Sequence, residues 1–163
     1  MKVQVINNSG NPLPKYESKY SAGMDIRADF SRVTPENPMK GYGKVEFDFN
    51  TNILTIHPGS RVIIPTGLFT AIPEGYEVQL RPRSGLAIKK GLNLINCIGT
   101  IDADYRNEWG IPAVNQGFEP IHIEHGERIC QAVLNKIEVI DWEETDKLEG
   151  HDRGGGLGHT GVK

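Results

Sequence analysis

The fold class is clearest in residues 73–91, which read PEGYEVQLRPRSGLAIKKG. A Pro-Glu-Gly turn signal opens this segment, and apolar and polar residues then alternate from Tyr76 to Leu80. Period-two alternation is typical of a β-strand with one buried face. The pattern then changes to a short helix from Ser84 to about Lys90, which we expect to begin with a serine N-cap and to end at Gly91.

The same features recur along most of the chain. Two further runs alternate with period two, and turn signals rich in Gly and Pro separate the runs at short intervals. These features are Val45, Phe47 and Phe49; Ile121 and Ile123; and the turns at 57–60 and 125–127. Helix-period patterns are otherwise nearly absent. Many short strands between tight turns predict an all-β subunit, an antiparallel sandwich or jelly roll with one short helix.

Two segments depart from this pattern. Residues 30–52 contain two prolines and two glycines before a charged, β-like run, and we interpret them as a surface hairpin insertion rather than a second domain. From residue 143 onward apolar residues become sparse, and the glycine-rich stretch 153–161 cannot form a packed element. We therefore expect a β domain over residues 1–142 and a flexible C-terminal arm over residues 143–163.

The composition limits the classes of function. A formal net charge of −3 gives no general attraction to nucleic acid, so an anionic ligand must be bound by a few positioned groups. Cys97 and Cys130 are too few for a disulfide scaffold, and each lies in an apolar run where a reduced thiol acts as a small hydrophobe. No segment approaches the roughly 20 apolar residues that span a bilayer, and no signal peptide is evident. We expect a cytoplasmic protein that binds neither nucleic acid nor membranes.

The C-terminal segment GLGHTG, residues 156–161, formally matches the dinucleotide fingerprint GxGxxG. That fingerprint requires a following helix, and only Val162 and Lys163 follow here, so we do not expect a Rossmann site. A Walker A loop is not expected either, because no Lys-Ser or Lys-Thr follows the glycines. Two interpretations stay open. The segment could fold over a polyphosphate with Arg153 at its base, or it could be a disordered terminus without a role, which composition alone favours.

The segment RPRSGLA, residues 81–87, has the residue types of an anion site. A serine and a glycine that open a short helix present free N–H groups and a hydroxyl, and two arginines just before them favour the same sign of ligand. An ordinary capped turn with solvated arginines explains the segment equally well.

Residues 96–109, NCIGTIDADYRNEW, combine four ionised side chains with an aromatic hydroxyl and an amide. A hairpin at the edge of a sheet could pair its backbone with the edge of a nucleobase, much as it would pair with another strand. Asp102 or Asp104 could then serve as a general base. The alternative is a charged surface turn, and we prefer that interpretation for Asp104.

Weaker signals lie elsewhere. Within residues 22–28 one acid, Asp25, and one base, Arg27, lie among small residues, and on their own they indicate a buried structural pair. His122 and His125 would face opposite sides of a strand with no third ligand nearby, so we do not expect zinc. Gln131 interrupts an apolar strand and could be either a core amide or a ligand contact.

Taken in order, five of these segments resemble the five sequence motifs of the homotrimeric dUTPases. They are residues 22–28, 81–87, 99–106, 126–131 and 153–161. The resemblance implies a jelly-roll subunit and a homotrimer with shared active sites, in which the arm of one chain closes over a pocket formed by the others. It also implies hydrolysis of dUTP to dUMP and pyrophosphate, which keeps dUTP low and supplies dUMP for dTTP synthesis.

The resemblance further implies roles for individual residues. Asp102 would activate the water that attacks the α-phosphorus, and Asp25 would be a structural acid coupled to the motif arginines and to metal-bound water. Mg²⁺ would be held by the substrate phosphates, without a direct protein ligand. The base and sugar contacts would come from Asn96, the hairpin backbone up to Ile101, Tyr105 and Leu157. The phosphate contacts would come from Arg83, Ser84, Gly85, Gln131, Arg153, Gly158, His159 and Thr160.

Two positions depart from the family pattern. Leu157 stands where the family usually has a phenylalanine that stacks on uracil. Because base–aromatic stacking is typically worth ~1–3 kcal/mol, we expect weaker or faster-opening arm closure. Asn107 replaces a common glycine, and since Asn tolerates positive φ we expect little effect.

Two other functions are compatible with parts of the sequence. A dCTP deaminase would share the fold, although residues 81–87 and the C-terminal segment are more similar to those of dUTPases. A regulatory protein could retain the nucleotide pocket and act through a partner at residues 30–52.

Overall fold

The computed structural model describes residues 1–155, and thirteen short strands and one short helix lie within that range. The elements are β1 (Gln4–Asn7), β2 (Met24–Arg27), β3 (Gly41–Tyr42), β4 (Val45–Asp48), β5 (Ile53–Ile56), β6 (Arg61–Ile64), β7 (Leu68–Ala71), β8 (Tyr76–Pro82), α1 (Ser84–Lys90), β9 (Leu92–Leu94), β10 (Gly99–Ile101), β11 (Ile111–Asn115), β12 (Ile121–Glu124) and β13 (Arg128–Lys136). The predicted all-β class is confirmed. Among the described residues, no helix has the length and apolar character needed to cross a membrane.

The strands form four small sheets in which each pair of neighbours is antiparallel. Their orders are β1-β7, β10-β8-β13-β2, β3-β6-β11-β9 and β12-β5-β4. Most neighbours are far apart in sequence, as when β13 lies between β2 and β8. This topology brings segments from both ends of the chain into one sheet.

The core lies on the apolar faces of the alternating strands. Val78 and Leu80 of β8 are buried at 4% and 1% exposure, and Ile121 and Ile123 of β12 are buried while the residues between and after them are exposed. The alternation therefore predicted the inward faces correctly at these two strands. Phe49 differs, because β4 ends at Asp48 and the Phe49 side chain is exposed in the turn that follows.

The helix begins differently from the prediction. Arg83, with extended backbone angles, occupies the N-cap position, Ser84 is the first helical residue, and no side chain caps the helix. The Ser84 N-cap prediction is therefore wrong: a residue with helical backbone angles stands one position too late to cap. Gly91 ends the helix as predicted, at φ 74°, and a Cβ there would overlap the backbone of Gly117.

The two cysteines occupy different environments. Cys130 is fully buried, and burial raises the pKa of its thiol well above its ordinary value. Cys97 is exposed and has a positive φ of 63°, so it is not the small core hydrophobe that its neighbours suggested. The turn between β9 and β10 carries it outward despite its apolar neighbours.

The segments that depart from the strand pattern have distinct settings. Residues 30–52 contain β4, which pairs with the following strand β5. The Phe47 ring of β4 lies edge-on to the buried Phe30 ring, with 5.2 Å between the ring centroids. The apolar side of this segment thus packs against the core. After β13 ends at Lys136, residues 137–155 contain no regular element and are mostly exposed.

Candidate active site

Three predicted segments meet in one row across the sheet. Gln131 of β13 lies opposite Asp25 of β2 on one side and opposite Arg81 of β8 on the other. Directly opposed residues on antiparallel strands point to the same face, so these three side chains project together. The pairing of β2 with β13 joins residues more than a hundred positions apart.

Asp25 organises the arginines around this row. Its Oδ1 lies 2.9 Å from Arg83 Nε and its Oδ2 lies 3.1 Å from Arg128 Nη1. Arg83 Nη1 also donates to the backbone oxygen of Arg128 at 3.1 Å. The Asp25 side chain is 17% exposed, so its carboxylate holds the two guanidinium groups at the base of the row and leaves their remaining N–H groups available.

A cavity of about 710 Å³ lies over this row and is also lined by Ser84 and Gly85. Its volume is in the range typical of small-molecule sites. The ionisable lining residues comprise three cations and two acids: Arg81, Arg83 and Lys89; Glu17 and Asp25. The structure therefore brings together Asp25, Arg83, Ser84, Gly85 and Gln131.

Two glycines shape the cavity for different reasons. A Cβ on Gly23 would come within 3.1 Å of Gln131 Oε1, so this glycine leaves room for the Gln131 amide. A Cβ on Gly85 would meet nothing within 4 Å among the described residues, and its φ is not in the left-handed region. The packing within the chain therefore does not require glycine at 85, although glycine is a poor helix former.

The first turn of α1 leaves donors facing the cavity. The N–H groups of Leu86 and Ala87 donate to the Arg83 oxygen, whereas the N–H groups of Ser84 and Gly85 have no acceptor within the described part of the chain. Since α1 spans only seven residues, anion binding depends on these N–H groups, the Ser84 hydroxyl and the arginines rather than on a long helix dipole.

The second group of predicted residues lies on β10 and on the loops before and after it. The expected hairpin is not formed, because β9 pairs with β11 in another sheet while β10 pairs with β8. In this sheet β10 is an outer strand that pairs only with β8 within the described range, so its other backbone edge is open. Asn96, before the strand, and Asp102, directly after it, are both exposed. The Ile101 side chain is 6% exposed and faces the core. Ile101 can therefore offer a ligand its backbone but not its side chain.

The hydroxyl group of Tyr105 already has a partner within the loop. The phenol donates to the backbone oxygen of Glu108 at 3.0 Å, and the side chain packs partly against the core. What remains for a ligand is the ring, an apolar surface without a free polar group. Asn107 does not have a positive φ, so the backbone at this position does not need a residue that tolerates the left-handed conformation.

The two groups of residues do not meet within one chain. Ile101 pairs with Val78, and Asp25 lies on the far side of β13 from Arg81. With strands about 4.8 Å apart and about 3.3 Å per residue, these registers place Ile101 and Asp25 about 17 Å apart. Asp102, one residue farther along, is not among the residues that line the cavity.

The remaining predicted residues lie at or beyond the end of the described range. Arg153 is exposed in an irregular segment and does not line the cavity. Leu157, Gly158, His159 and Thr160 lie outside the described residues.

The two histidines take part in separate contacts. His122 Nδ1 lies 3.0 Å from the Thr55 hydroxyl, whereas His125 Nδ1 accepts the Phe30 N–H. Within residues 1–155 no group of three or more His, Cys, Asp or Glu side chains is placed to hold a metal ion.

Sequence reasoning missed some residues of the site. Arg128 lies in a quoted motif but received no role, and its contact with Asp25 depends on the β2–β13 register. Lys89 lies four residues after Gly85, a spacing that places both on one face of a helix, so this signal was available.

Comparison with known proteins identifies the family. The dUTPase family model matches residues 43–161. The deoxyuridine 5'-triphosphate nucleotidohydrolase of Finegoldia magna is 49% identical over 162 residues, covering 99% of both chains, and that of Fusobacterium nucleatum is 45% identical, covering 99% of this chain and 97% of the relative.

Solved structures support the fold. A variant of the Staphylococcus bacteriophage 80alpha dUTPase, solved with dUpNHpp, superimposes with a TM-score of 0.75 at 24% identity and covers 99% of each chain. The dUTPase of phage phi11 of S. aureus gives a TM-score of 0.71 at 21% identity and covers 93% of this chain and all of that one. At these identities the likeness concerns the fold alone, the predicted jelly roll. With the family model and the curated relatives, these matches show that the chain belongs to the dUTPase family.

Proposed function

We propose that this chain hydrolyses dUTP to dUMP and pyrophosphate. The water oxygen forms a bond to the α-phosphorus, the bond from that phosphorus to the bridging oxygen of the β-phosphate breaks, and Asp102 accepts the water proton. The observation that carries the proposal is the cavity in which Asp25, Arg83, Ser84, Gly85 and Gln131 meet. Family membership and the activity for which the bacterial relatives are named support dUTP as the substrate.

The phosphates bind in this cavity. The Arg83 guanidinium and the free N–H groups of Ser84 and Gly85 are suited to phosphate oxygens, because charge-assisted bonds to anions are short and strong. The absence of a side chain at Gly85 allows the backbone to approach an oxygen closely. Gln131 adds an amide donor from the neighbouring strand.

The attacking water is activated by a different copy of the chain. Asp102 is exposed and follows β10, which is one edge strand of the sheet, whereas Asp25 lies on β2, the other edge strand. A homotrimer with shared sites accounts for both facts, since the Asp102 loop of one chain then faces the phosphate cavity of its neighbour. In this proposal the arm with Arg153 and residues 157–160 comes from the remaining chain.

The base and the sugar are recognised by β10 and the loops on its two ends. The open edge of β10 and the Asn96 amide present backbone and side-chain groups that match the acceptor–donor–acceptor edge of uracil. The Tyr105 ring lies against the deoxyribose and offers no partner for a 2′-hydroxyl, because its own hydroxyl is bonded to Glu108. UTP is therefore rejected.

The triphosphate would carry Mg²⁺ into this cavity. Asp25 is occupied by two arginines, so it is not free to bind the metal directly and would contact its water shell at most. The donor set of the cavity suits phosphate rather than a cation, and Mg²⁺ commonly keeps several waters. A variant of the phage phi11 dUTPase contains a structural Mg(II) ion. Here the metal would neutralise charge on the triphosphate while Arg83 and Gln131 hold its oxygens.

The cellular role follows from the reaction. Hydrolysis keeps dUTP low and supplies dUMP for dTTP synthesis, and the sequence leads us to place this in the cytoplasm. Fractionation of cells that express the chain would test the location.

Pyrophosphate release from dUTP, dCTP, dTTP and UTP tests the proposal. We expect rapid release from dUTP alone, and Asp102→Asn should slow it by about 10²–10⁴-fold, the usual range for a general base. Asp104→Asn is the matched control, because it changes a nearby exposed acid. Ammonia release from dCTP would instead support a deaminase, and equal rates for the wild type and Asp102→Asn would support a binding protein.

A further inference from the structure

One carboxylate, Glu108, makes the hydrogen bonds from residues 102–108 to the rest of the described chain. Its Oε1 accepts a hydrogen bond from Arg32 Nη2 at 2.6 Å and from the backbone N–H groups of Thr66 at 3.1 Å and Gly67 at 2.7 Å. Within residues 1–155, every hydrogen bond that joins residues 102–108 to another part of the chain ends on this side chain. The next residue, Trp109, is buried and its N–H donates to the Leu68 oxygen at 2.9 Å, so the backbone is fixed from there on and the Glu108 side chain orients the part of the loop before it.

Arg32 is itself held by a buried acid. Asp29 is fully buried and accepts from the Ser31 N–H at 3.1 Å, while its Oδ2 lies 3.4 Å from Arg32 Nε. His125 Nδ1 lies 3.7 Å from Asp29, but it accepts the Phe30 N–H and so carries no proton there. Arg32 is therefore the cation that compensates Asp29, and it links this buried charge to Glu108.

The loop transmits the position of Glu108 to Tyr105. The Tyr105 hydroxyl donates to the backbone oxygen of Glu108 at 3.0 Å. The Tyr105 N–H donates to the backbone oxygen of Asp102 at 3.2 Å. Arg106 adds a 2.6 Å bond to the Ala103 oxygen, which closes the loop on itself. A displacement of Glu108 would thus move the Tyr105 ring, and without the Glu108 contacts the loop would open more often, which exposes the Tyr105 N–H to exchange.

We propose that Glu108, held by Arg32, is a positioning residue that sets the Tyr105 ring against the sugar and thereby contributes to discrimination between dUTP and UTP. The inference rests on the proposed function, because it assigns a cause to the sugar selectivity of that site. Glu108 makes no contact with the substrate in this scheme. The segment around Arg32 belongs to residues 30–52, so that segment supports the active-site loop.

A graded set of variants tests the proposal. Glu108→Ala removes all three contacts at Oε1, Glu108→Gln keeps an acceptor but removes the charge, and Arg32→Lys keeps the charge but removes the planar guanidinium. Glu46→Ala is the matched control, because Glu46 is also a carboxylate with two side-chain partners, Lys44 at 3.5 Å and His57 at 3.0 Å, and lies on β4, outside the loop. The two measurements are the ratio of kcat/KM for dUTP to that for UTP and the hydrogen exchange rate of the Tyr105 amide.

For Glu108→Ala we expect the dUTP/UTP ratio to fall about tenfold and Tyr105 exchange to speed up about tenfold, the scale of one lost hydrogen bond to a charged group. Glu108→Gln should restore most of both values, with Arg32→Lys between the two. The control should match the wild type. A role in folding stability alone would leave the ratio unchanged.

Several results would overturn the inference. One is a Glu108→Ala protein with wild-type selectivity and wild-type Tyr105 exchange, and another is an equal loss of selectivity in Glu46→Ala. If Glu108→Ala does not fold, the absence of any shift in both Glu108→Gln and Arg32→Lys would have the same force. A wild type that does not hydrolyse dUTP would refute the proposed function instead, and the exchange measurement would still decide whether Glu108 holds the loop.

Discussion

Mixing two inactive variants should restore activity if each site takes its parts from different chains. The first variant, Asp102→Asn, loses the general base, and the second, Arg83→Met, loses a cation of the phosphate cavity. A carboxylate that acts through one water reaches a phosphorus atom about 6 Å away. The registers separate Ile101 from Asp25 by about 17 Å within one chain, nearly three times that reach.

The size of the recovery can be calculated. If the two variants are unfolded together in equal amounts and refolded, they assemble at random. Each site then receives an intact Asp102 and an intact Arg83 from two different chains in roughly one quarter of cases. Asp102→Asn alone should fall about 10²–10⁴-fold, and Arg83→Met about 10- to 150-fold from the loss of a charge-assisted bond. The mixture should therefore show about 25% of the wild-type rate of pyrophosphate release, well above either parent.

The control pair is Asp102→Asn mixed with Tyr105→Ala. Both changes lie on one loop, so every site takes both groups from the same chain and no intact site can form. Wild-type protein carried through the same refolding sets the reference rate. If the mixture of Asp102→Asn and Arg83→Met is no faster than the mean of its parents, the shared-site model is wrong and one chain supplies both groups.

Four other changes have defined outcomes. Gly85→Ala should stabilise the chain against urea by about 0.5 kcal/mol, because alanine is the better helix former, yet it should raise the KM for dUTP at least about tenfold. An unchanged KM would show that no phosphate approaches position 85. Asn115→Ala should cost about 3 kcal/mol at fixed protein concentration, because this fully buried amide makes three hydrogen bonds of 2.8 Å; a cost below about 1 kcal/mol would contradict that assignment. In native protein an alkylating reagent should modify Cys97 rapidly and leave Cys130 unmodified, since burial raises the pKa of the Cys130 thiol; two fast thiols would refute this. The N–H groups of two turn residues lower the pKa of Asp48 below its ordinary 3.8. Asp48→Ala should therefore lower the free energy of unfolding equally from pH 5 to 8, and the difference between variant and wild type should vanish as pH falls through the lowered pKa. A stability difference that grew in acid would have the wrong sign.

Local chemistry made much of the fold predictable from the sequence. Burial alternates with period two, so the inward faces of β8 and β12 could be assigned from residue types alone. The end of α1 at Gly91 was predictable because that backbone conformation strongly favours glycine. Ser84 was misplaced by one position, because a cap depends on the φ and ψ of one residue, which the neighbouring β8 strand sets.

The candidate site residues could be proposed as a set from their order along the chain, but their arrangement could not. Nothing in the segments around Asp25 and Gln131 states that they lie opposite each other, or that Arg128 also reaches Asp25. The contact of Arg32 with Glu108 joins residues 76 positions apart and left no pattern in either segment. The sequence by itself determined the all-β class, the turns and the motif inventory, because these depend on interactions within a few residues. Only the tertiary structure decided which motifs share a cavity and which stand about 17 Å apart, because strand register is set by the packing of the whole core.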